Sequence, residues 1–437
     1  MSHHVDDRSA GSVRLGLLGC GHVGSALVHL IEENAALITT RSGVRLEVAR
    51  VAVRNVARDR DVQLAPGVLT HDADDVVADP DVDVVVETIG GIEPARSLIL
   101  TALKLGKPVV TANKELIANV GEELFEAAES AGVDLLFEAS VAGGIPLIRP
   151  LRESLAGERI RRVMGIVNGT TNYVLTRMTE ERSTFADALA EAQQLGFAES
   201  DPTADVEGDD AAAKAAIIAA IAYNARVVAG DVYREGIAQI TAADIVAATE
   251  LGYVVKLLAV AEEIDGEIAV RVHPAMIPDD HPLAAVRGSF NAVFIEGDAV
   301  GQLMLLGRGA GGGPTASAVL GDVIDAATNL RSGARGATIG APVRKAIRPI
   351  DEIAAQFYIA LDAADRPGVL AAIAGVFGRH RVSIQSMQQK GQGDEARLIF
   401  VTHTAREADL RSTINEVREL DVVRRIGSVL RVLGGDG

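Results

Sequence analysis

Five short apolar runs alternate with segments of helical period between Val13 and Gly144. They are VRLGLLG (Val13–Gly19), VRLEVARVAVR (Val44–Arg54), DVDVVVETIGG (Asp81–Gly91), KPVVTANK (Lys107–Lys114) and VDLLFEASVAGG (Val133–Gly144). A strand covered by helices on both faces of a parallel sheet reads as a nearly continuous aliphatic run. The alternation therefore predicts an α/β fold built on a doubly wound parallel sheet. Trp is absent and aromatics make up 3% of the chain, so Val, Ile, Leu and Ala must fill the cores; 48% apolar content supplies them. At 437 residues the chain exceeds what one simple core organises, and two or three domains are expected.

The first run ends in Gly19-Cys20-Gly21-His22-Val23-Gly24, a G-x-G-x-x-G that follows a strand and opens a helix. The first glycine permits the tight turn, the second lets a pyrophosphate approach the backbone, and the third lets helix pack on strand. In this setting dinucleotide binding outweighs a merely structural turn. The second strand ends in Val53-Arg54-Asn55, without the acid that would hold a ribose 2′-hydroxyl. Arg54, with Arg58 close by, points instead to the 2′-phosphate of NADP, against the plainer reading of a solvated arginine. Lys114 lies past a strand's carboxyl end, where such sheets hold their ligands, and can face a nicotinamide or a substrate. A purely structural lysine is disfavoured there, because helix N-termini disfavour cations. The irregular stretch Glu138–Ile145 offers backbone carbonyls and one carboxylate to a hard monovalent cation. Cys20 is the only cysteine, which excludes an intramolecular disulfide, a multi-Cys zinc site and, given its place in the loop, thiohemiacetal chemistry.

Beyond Pro150 the pattern changes. A strand leads to a helix near Thr170, helices are expected over 185–195 and 209–229, and strands over Glu267–Val272 and Asn291–Glu296. A glycine-rich turn then precedes a helix near Thr315, so an α+β domain with an open sheet is expected. Within it, LGFAESDPTADVEGDDAAAK (Leu195–Lys214) clusters Glu199, Asp201, Asp205 and Glu207 before Asp209 and Asp210 open an alanine-rich helix. Asp210 and Lys214 are i and i+4 and share a helix face. An acidic pocket with one lysine aimed into it suits a substrate carrying an ammonium group and a carbonyl to be protonated.

Ser332–Ile350 lacks periodicity and reads as a linker; after it, strand, helix, strand, strand, helix and strand give βαββαβ. The expected division is a disordered 1–12, a cofactor domain 13–149, a catalytic domain 150–331, a linker 332–352 and a C-terminal unit 353–437. The net charge of −18 argues against nucleic acid or an anionic membrane as partner. No apolar signal core and no run of about eighteen apolar residues occurs, so a soluble cytoplasmic protein is expected.

Taken together, these segments resemble homoserine dehydrogenases. The family pattern is met by Ala192, Gly196, Asp201-Pro202, Asp205, Gly208, Asp210 and Lys214. TANK (111–114), FEASVAGGIP (137–146), NGTTNY (168–173) and GAGGGPTASAV (309–319) are similar to family segments, though the glycine run 311–313 is richer. The resemblance covers about residues 13–330. The C-terminal DRPGVL (365–370) resembles an ACT domain. What this implies is a Rossmann-type domain, a catalytic and dimerisation domain, and reversible NAD(P)H-dependent reduction of L-aspartate 4-semialdehyde to L-homoserine. That reaction lies on the branch to threonine, methionine and isoleucine. The resemblance makes Lys214 the catalytic acid/base, Asp210 its positioning and substrate-contacting partner, and Lys114 a second active-site lysine. It gives the substrate's amino group to Glu199 and Asp205. Cofactor contacts fall at Gly19, Gly21, His22, Val23, Gly24, Arg54, Thr88, Lys114 and Gly311. Glu138 with the carbonyls of Val141, Gly143 and Ile145 resembles a sodium site. The ACT unit implies a homodimer or homotetramer that senses threonine between subunits, through a detachable domain whose removal after Arg344 spares catalysis. A catalytically dead metabolite sensor is opposed by the intact Asp210/Lys214 pair, and a fused aspartate kinase by a match that starts near residue 13. Another NAD(P) dehydrogenase is the enzyme-class alternative.

Overall fold

The computed structural model describes residues 12–336, 343–391 and 396–434. The expected disordered N-terminus thus lies outside the described residues, apart from Ser12, which opens a strand. The early alternation resolves into β1 (Ser12–Leu18), α1 (His22–Glu33), α2 (Ala35–Ser42), β2 (Arg45–Ala52), β3 (Leu69–Thr70), α3 (Ala73–Ala78), β4 (Val84–Glu87), α4 (Ala95–Lys104), β5 (Val109–Thr111), α5 (Lys114–Ala131) and β6 (Leu135–Leu136). The strands form one sheet in the order β3-β2-β1-β4-β5-β6, every pairing parallel. The order reverses between β1 and β4, and that reversal opens a crevice at the strands' carboxyl ends. The alternation works because Leu15, Leu17, Val84, Val86 and Val110 are covered by Leu27, Val28 and Ile31 of α1 and by Val319, Val323 and Ala327 of a later helix, Gly312–Ser332.

The last predicted strand of this set is cut short. Val133–Gly144 contributes only Leu135 and Leu136 to the sheet, and Glu138–Ser140 is a single tight helical turn. The backbone N–H of Glu138 leaves the ladder to donate to Asp322 Oδ2 at 2.8 Å. Leu69–Thr70 pairs with β2 and was not expected, since two residues carry no period.

The chain continues through β7 (Ile160–Ile166), α6 (Gly169–Glu181), α7 (Phe185–Gln194), α8 (Thr203–Val206), α9 (Asp209–Ala222), β8 (Tyr233–Arg234), α10 (Ala242–Glu250), β9 (Tyr253–Ile264), β10 (Glu267–Pro278), β11 (Phe290–Gly297), β12 (Gly301–Arg308) and α11 (Gly312–Ser332). Helix α9 ends at Ala222, short of the expected 229, because Asn224 takes a left-handed φ of 44° and turns the chain. The C-terminal unit is β13 (Ala354–Ala363), α12 (Val369–Arg379), β14 (Ile384–Lys390), β15 (Arg397–Thr402), β16 (Ala405–Arg406), α13 (Glu407–Arg418) and β17 (Val423–Val432). This is the expected βαββαβ order with one two-residue strand added.

Two compact units result: one holds Met1–Arg159, Ala216–Gly230 and Gly307–Arg344, the other Ile160–Ala215, Asp231–Leu306 and Lys345–Gly437. In the second unit Met164, Ile166, Leu258, Val260, Ile277 and Phe294 form one core. Phe357, Ile359, Ile373, Phe377, Phe400 and Val417 form another, inside the C-terminal unit. These cores share a sheet: β17 pairs antiparallel with β13 and parallel with β10 at Ala275–Arg431 and Met276–Val432. The C-terminal unit is therefore joined to the catalytic sheet through β17. The linker expectation changes too. Val343 bridges Ala225 and Ile347 bridges Ile268, so both ends of its described part are pinned; residues 337–342 lie outside the described residues.

Candidate functional site

The glycine loop sits at the carboxyl end of β1. Gly19 has φ 101°, a conformation side-chain-bearing residues rarely adopt, and a Cβ on Gly24 would lie 2.6 Å from the Gly19 carbonyl oxygen. A Cβ on Gly21 would meet no atom within 4 Å. That position faces open space, as a pyrophosphate-approach glycine must. Helix α1 begins at His22 with no side-chain cap, which leaves the N–H groups of His22, Val23 and Gly24 for an anion. Helix α11 begins beside it: its N-cap Gly311 has φ 120° and no side-chain cap, and a Cβ on Gly312 would stand 3.1 Å from the His22 carbonyl oxygen. Two helix N-termini thus bring their positive ends to one loop, which fits a dinucleotide pyrophosphate. Arg54 is exposed just past β2. The Thr88 hydroxyl donates to the backbone carbonyls of Leu18 and Gly19 at 3.3 and 3.2 Å, and so braces the loop.

Sequence reading passed over Glu87, which is fully buried below this loop. Its carboxylate accepts from Ile89 N at 2.7 Å, Gly90 N at 2.9 Å and Thr111 Oγ1 at 2.5 Å. Asn113 donates to the Gly91 carbonyl at 2.6 Å and caps α5 through Leu116 N. Exposed Lys114 is held at the first position of that capped helix.

In the second unit the acidic segment folds against the start of α6. Lys214 and Asp210 are both 9% exposed. Lys214 Nζ donates to Asp210 Oδ2 at 2.7 Å and to the Val167 carbonyl at 2.8 Å. Asn168 Nδ2 donates to Asp205 Oδ1 at 2.7 Å and to Asp210 Oδ2 at 2.9 Å. Five groups therefore form one hydrogen-bonded cluster, in which two of the lysine's three donors are engaged. Glu199 is exposed and stands outside this cluster; its backbone carbonyl accepts from Gln193. Asp209 pairs outward with Arg234 at 2.6 Å. The second asparagine of the NGTTNY stretch, Asn172, holds the loop at Gly288 and Phe290 and accepts from buried Lys256. Burial pushes that lysine's pKa down to about 8.

Glu138 is buried and hydrogen-bonded through its side chain. Its carboxylate accepts from the backbone N–H groups of Leu147, Ile148 and Arg149 at 2.5, 2.7 and 2.8 Å. Those bonds tie the carboxylate to the start of the helical turn that follows. Among the described residues no backbone N–H donates to the carbonyls of Val141, Gly143 or Ile145. Among the described residues no three His, Cys, Asp or Glu side chains gather as a metal site. Among the described residues no helix is long and apolar enough to cross a membrane.

Comparison with known proteins agrees with this geometry. A family model described as homoserine dehydrogenase matches residues 146–324, one described as its NAD binding domain matches 19–138, and an ACT domain model matches 357–422. A homoserine dehydrogenase of Mycobacterium tuberculosis is 49% identical over 97% of this chain and 98% of its own length. The crystal structure of a homoserine dehydrogenase from Thiobacillus denitrificans superposes with a TM-score of 0.91 at 42% identity, covering 96% of this chain and 98% of that one. A hyperthermophilic archaeal homoserine dehydrogenase in complex with NADPH gives a TM-score of 0.61 at 31% identity, covering 72% and 97%.

Proposed function

Because the chain belongs to the homoserine dehydrogenase family of NAD(P)-dependent oxidoreductases, we propose that Lys214 is the proton donor that interconverts L-aspartate 4-semialdehyde and L-homoserine. The observation that carries this is the Lys214 ammonium, fixed by Asp210 and the Val167 carbonyl with a third donor left for substrate. The nicotinamide cofactor, when bound, supplies hydride to the aldehyde carbon. Negative charge then grows on the carbonyl oxygen, and Lys214 stabilises and protonates it. Asp210 holds the lysine in its charged, oriented form. Asp205 takes the substrate's ammonium group, joined by Glu199 once substrate is bound. Lys114 serves the nicotinamide end.

The glycine loop, the paired helix N-termini and Arg54 support NADP as the preferred cofactor, and the archaeal relative binds NADPH. Glu138 with the carbonyls of Val141, Gly143 and Ile145 would hold a sodium ion, which would stiffen the turn. The enzyme works as a cytoplasmic homodimer or homotetramer on the route to threonine, methionine and isoleucine, with threonine sensed by the ACT domain. The test of the central assignment is Lys214→Ala. General acid catalysis contributes about 10²–10⁴-fold, so kcat should fall by that factor while the KM for NADPH changes little. Near wild-type turnover would refute it.

A further inference from the structure

We infer that Asn168 is a positioning residue that sets the distance between the ammonium-binding carboxylate and the proton donor, and so selects the length of the substrate. The inference rests on the reading of Lys214 and Asp205 given above. Asn168 is 4% exposed, in extended backbone between β7 and α6. Its amide orientation is decided by chemistry: Oδ1 takes the backbone N–H of Thr171 at 2.8 Å and the Thr171 hydroxyl at 2.9 Å. A backbone N–H only donates, so the oxygen must face it and the NH₂ must face the carboxylates. Both amide hydrogens are then spent, one on Asp205 and one on Asp210.

Asp205 addresses the amino end of the substrate, and Asp210 addresses Lys214 and hence the oxygen end. A single planar amide, clamped at its other edge by the start of α6, spans the two. It also keeps the buried Asp210 and half-buried Asp205 carboxylates from facing each other without a donor between them. The preceding residue, Val167, supplies the lysine's second acceptor, so the same two residues fix both ends of the reacting geometry. Helix capping alone does not require this arrangement. A cap uses only the oxygen; the NH₂ edge is surplus to it.

Asn168→Ser keeps a cap, since serine caps helices as well as asparagine does, but deletes the donors to both carboxylates. Hydrogen bonds to charged groups are strong enough that kcat/KM for L-homoserine should fall about 10- to 100-fold. The loss should be shared between kcat and the KM for homoserine, with the KM for NADP unchanged. Discrimination against the homologue with one more methylene between amino and hydroxyl groups should fall by about 10-fold. Asn168→Asp also keeps the cap and adds a third carboxylate. It should shift the pH–rate profile of kcat/KM for L-homoserine, because a third carboxylate would then face Asp205, Asp210 and, through Asp210, Lys214. Wild-type kinetics, length discrimination and pH profile in both variants would overturn the inference and leave Asn168 as a helix cap. Should the serine variant fail to fold, the pH profile of the aspartate variant decides alone. Lys214→Ala retaining activity would instead sink the proton-donor reading, a separate result.

Discussion

Arg431 holds the C-terminal unit to the catalytic sheet, and its removal should be costly. The side chain is 8% exposed on β17. Nη1 and Nη2 fork onto the two Glu235 oxygens at 3.0 and 2.9 Å, Nε donates to Glu407, and the guanidinium lies 5.4 Å from the Tyr233 ring centroid. Burial pushes the Glu235 carboxyl up, but the bonds from Arg431 outweigh it and the net pKa falls. At Glu407 burial prevails over the same cation and the net pKa rises. Arg431→Met keeps the apolar stem and deprives two neighbouring carboxylates, Glu235 and Glu407, of the cation bonded to both. Breaking one side of a buried pair costs about 3–5 kcal/mol. For a body of some 150–250 residues each kcal/mol moves Tm by about 2–4 °C, so a fall of roughly 6–20 °C is expected. Calorimetry at pH 7.5 reads this directly. Adding Glu235→Gln and Glu407→Gln should recover much of the loss, because the orphaned charges are what cost. The deficit should also shrink toward pH 5: with Arg431 gone the folded carboxyl pKa values lie above the unfolded ones, so stability is lost as pH rises through them. An Arg431→Met protein that melts within about 2 °C of wild type would refute the reasoning.

Three further outcomes are expected. Arg54→Asp should weaken NADPH far more than NADH, by exchanging a phosphate partner for a repelling charge; equal loss for both cofactors would show that Arg54 does not meet the 2′-phosphate. Asp322 is 3% exposed, and burial pushes its pKa up to about 7. The folded state then holds a proton that the unfolded state releases near pH 4, so stability declines between about pH 4 and 7. Asp322→Asn keeps an acceptor for Glu138 N–H and should flatten that decline in melting curves; an unchanged slope would show that Asp322 does not titrate there. Millimolar threonine should inhibit the full-length enzyme, and indifference to threonine, isoleucine and methionine alike would leave the ACT domain to assembly.

The parallel sheet, the glycine loop and the βαββαβ order were legible because periodicity and turn chemistry are local properties of the chain. The Asp210–Lys214 pair was legible for the same reason, being one helical turn apart and bonded at 2.7 Å. Strand β3 escaped because two residues have no period, and β6 was foreseen but drawn too long. The amide of Asn168 meets carboxylates 37 and 42 residues away, and the spacing of NGTTNY contains nothing of that. Nor does the segment Glu138–Ile145 announce that the Glu138 carboxylate will accept three backbone N–H groups from the turn that follows. The same holds at the other end of the chain, where β17 reads as the last strand of a small domain but also pairs with β10. Local sequence encodes which element forms. Which buried donor meets which acceptor is decided only when the cores close, since each such group must find its partner wherever packing brings one.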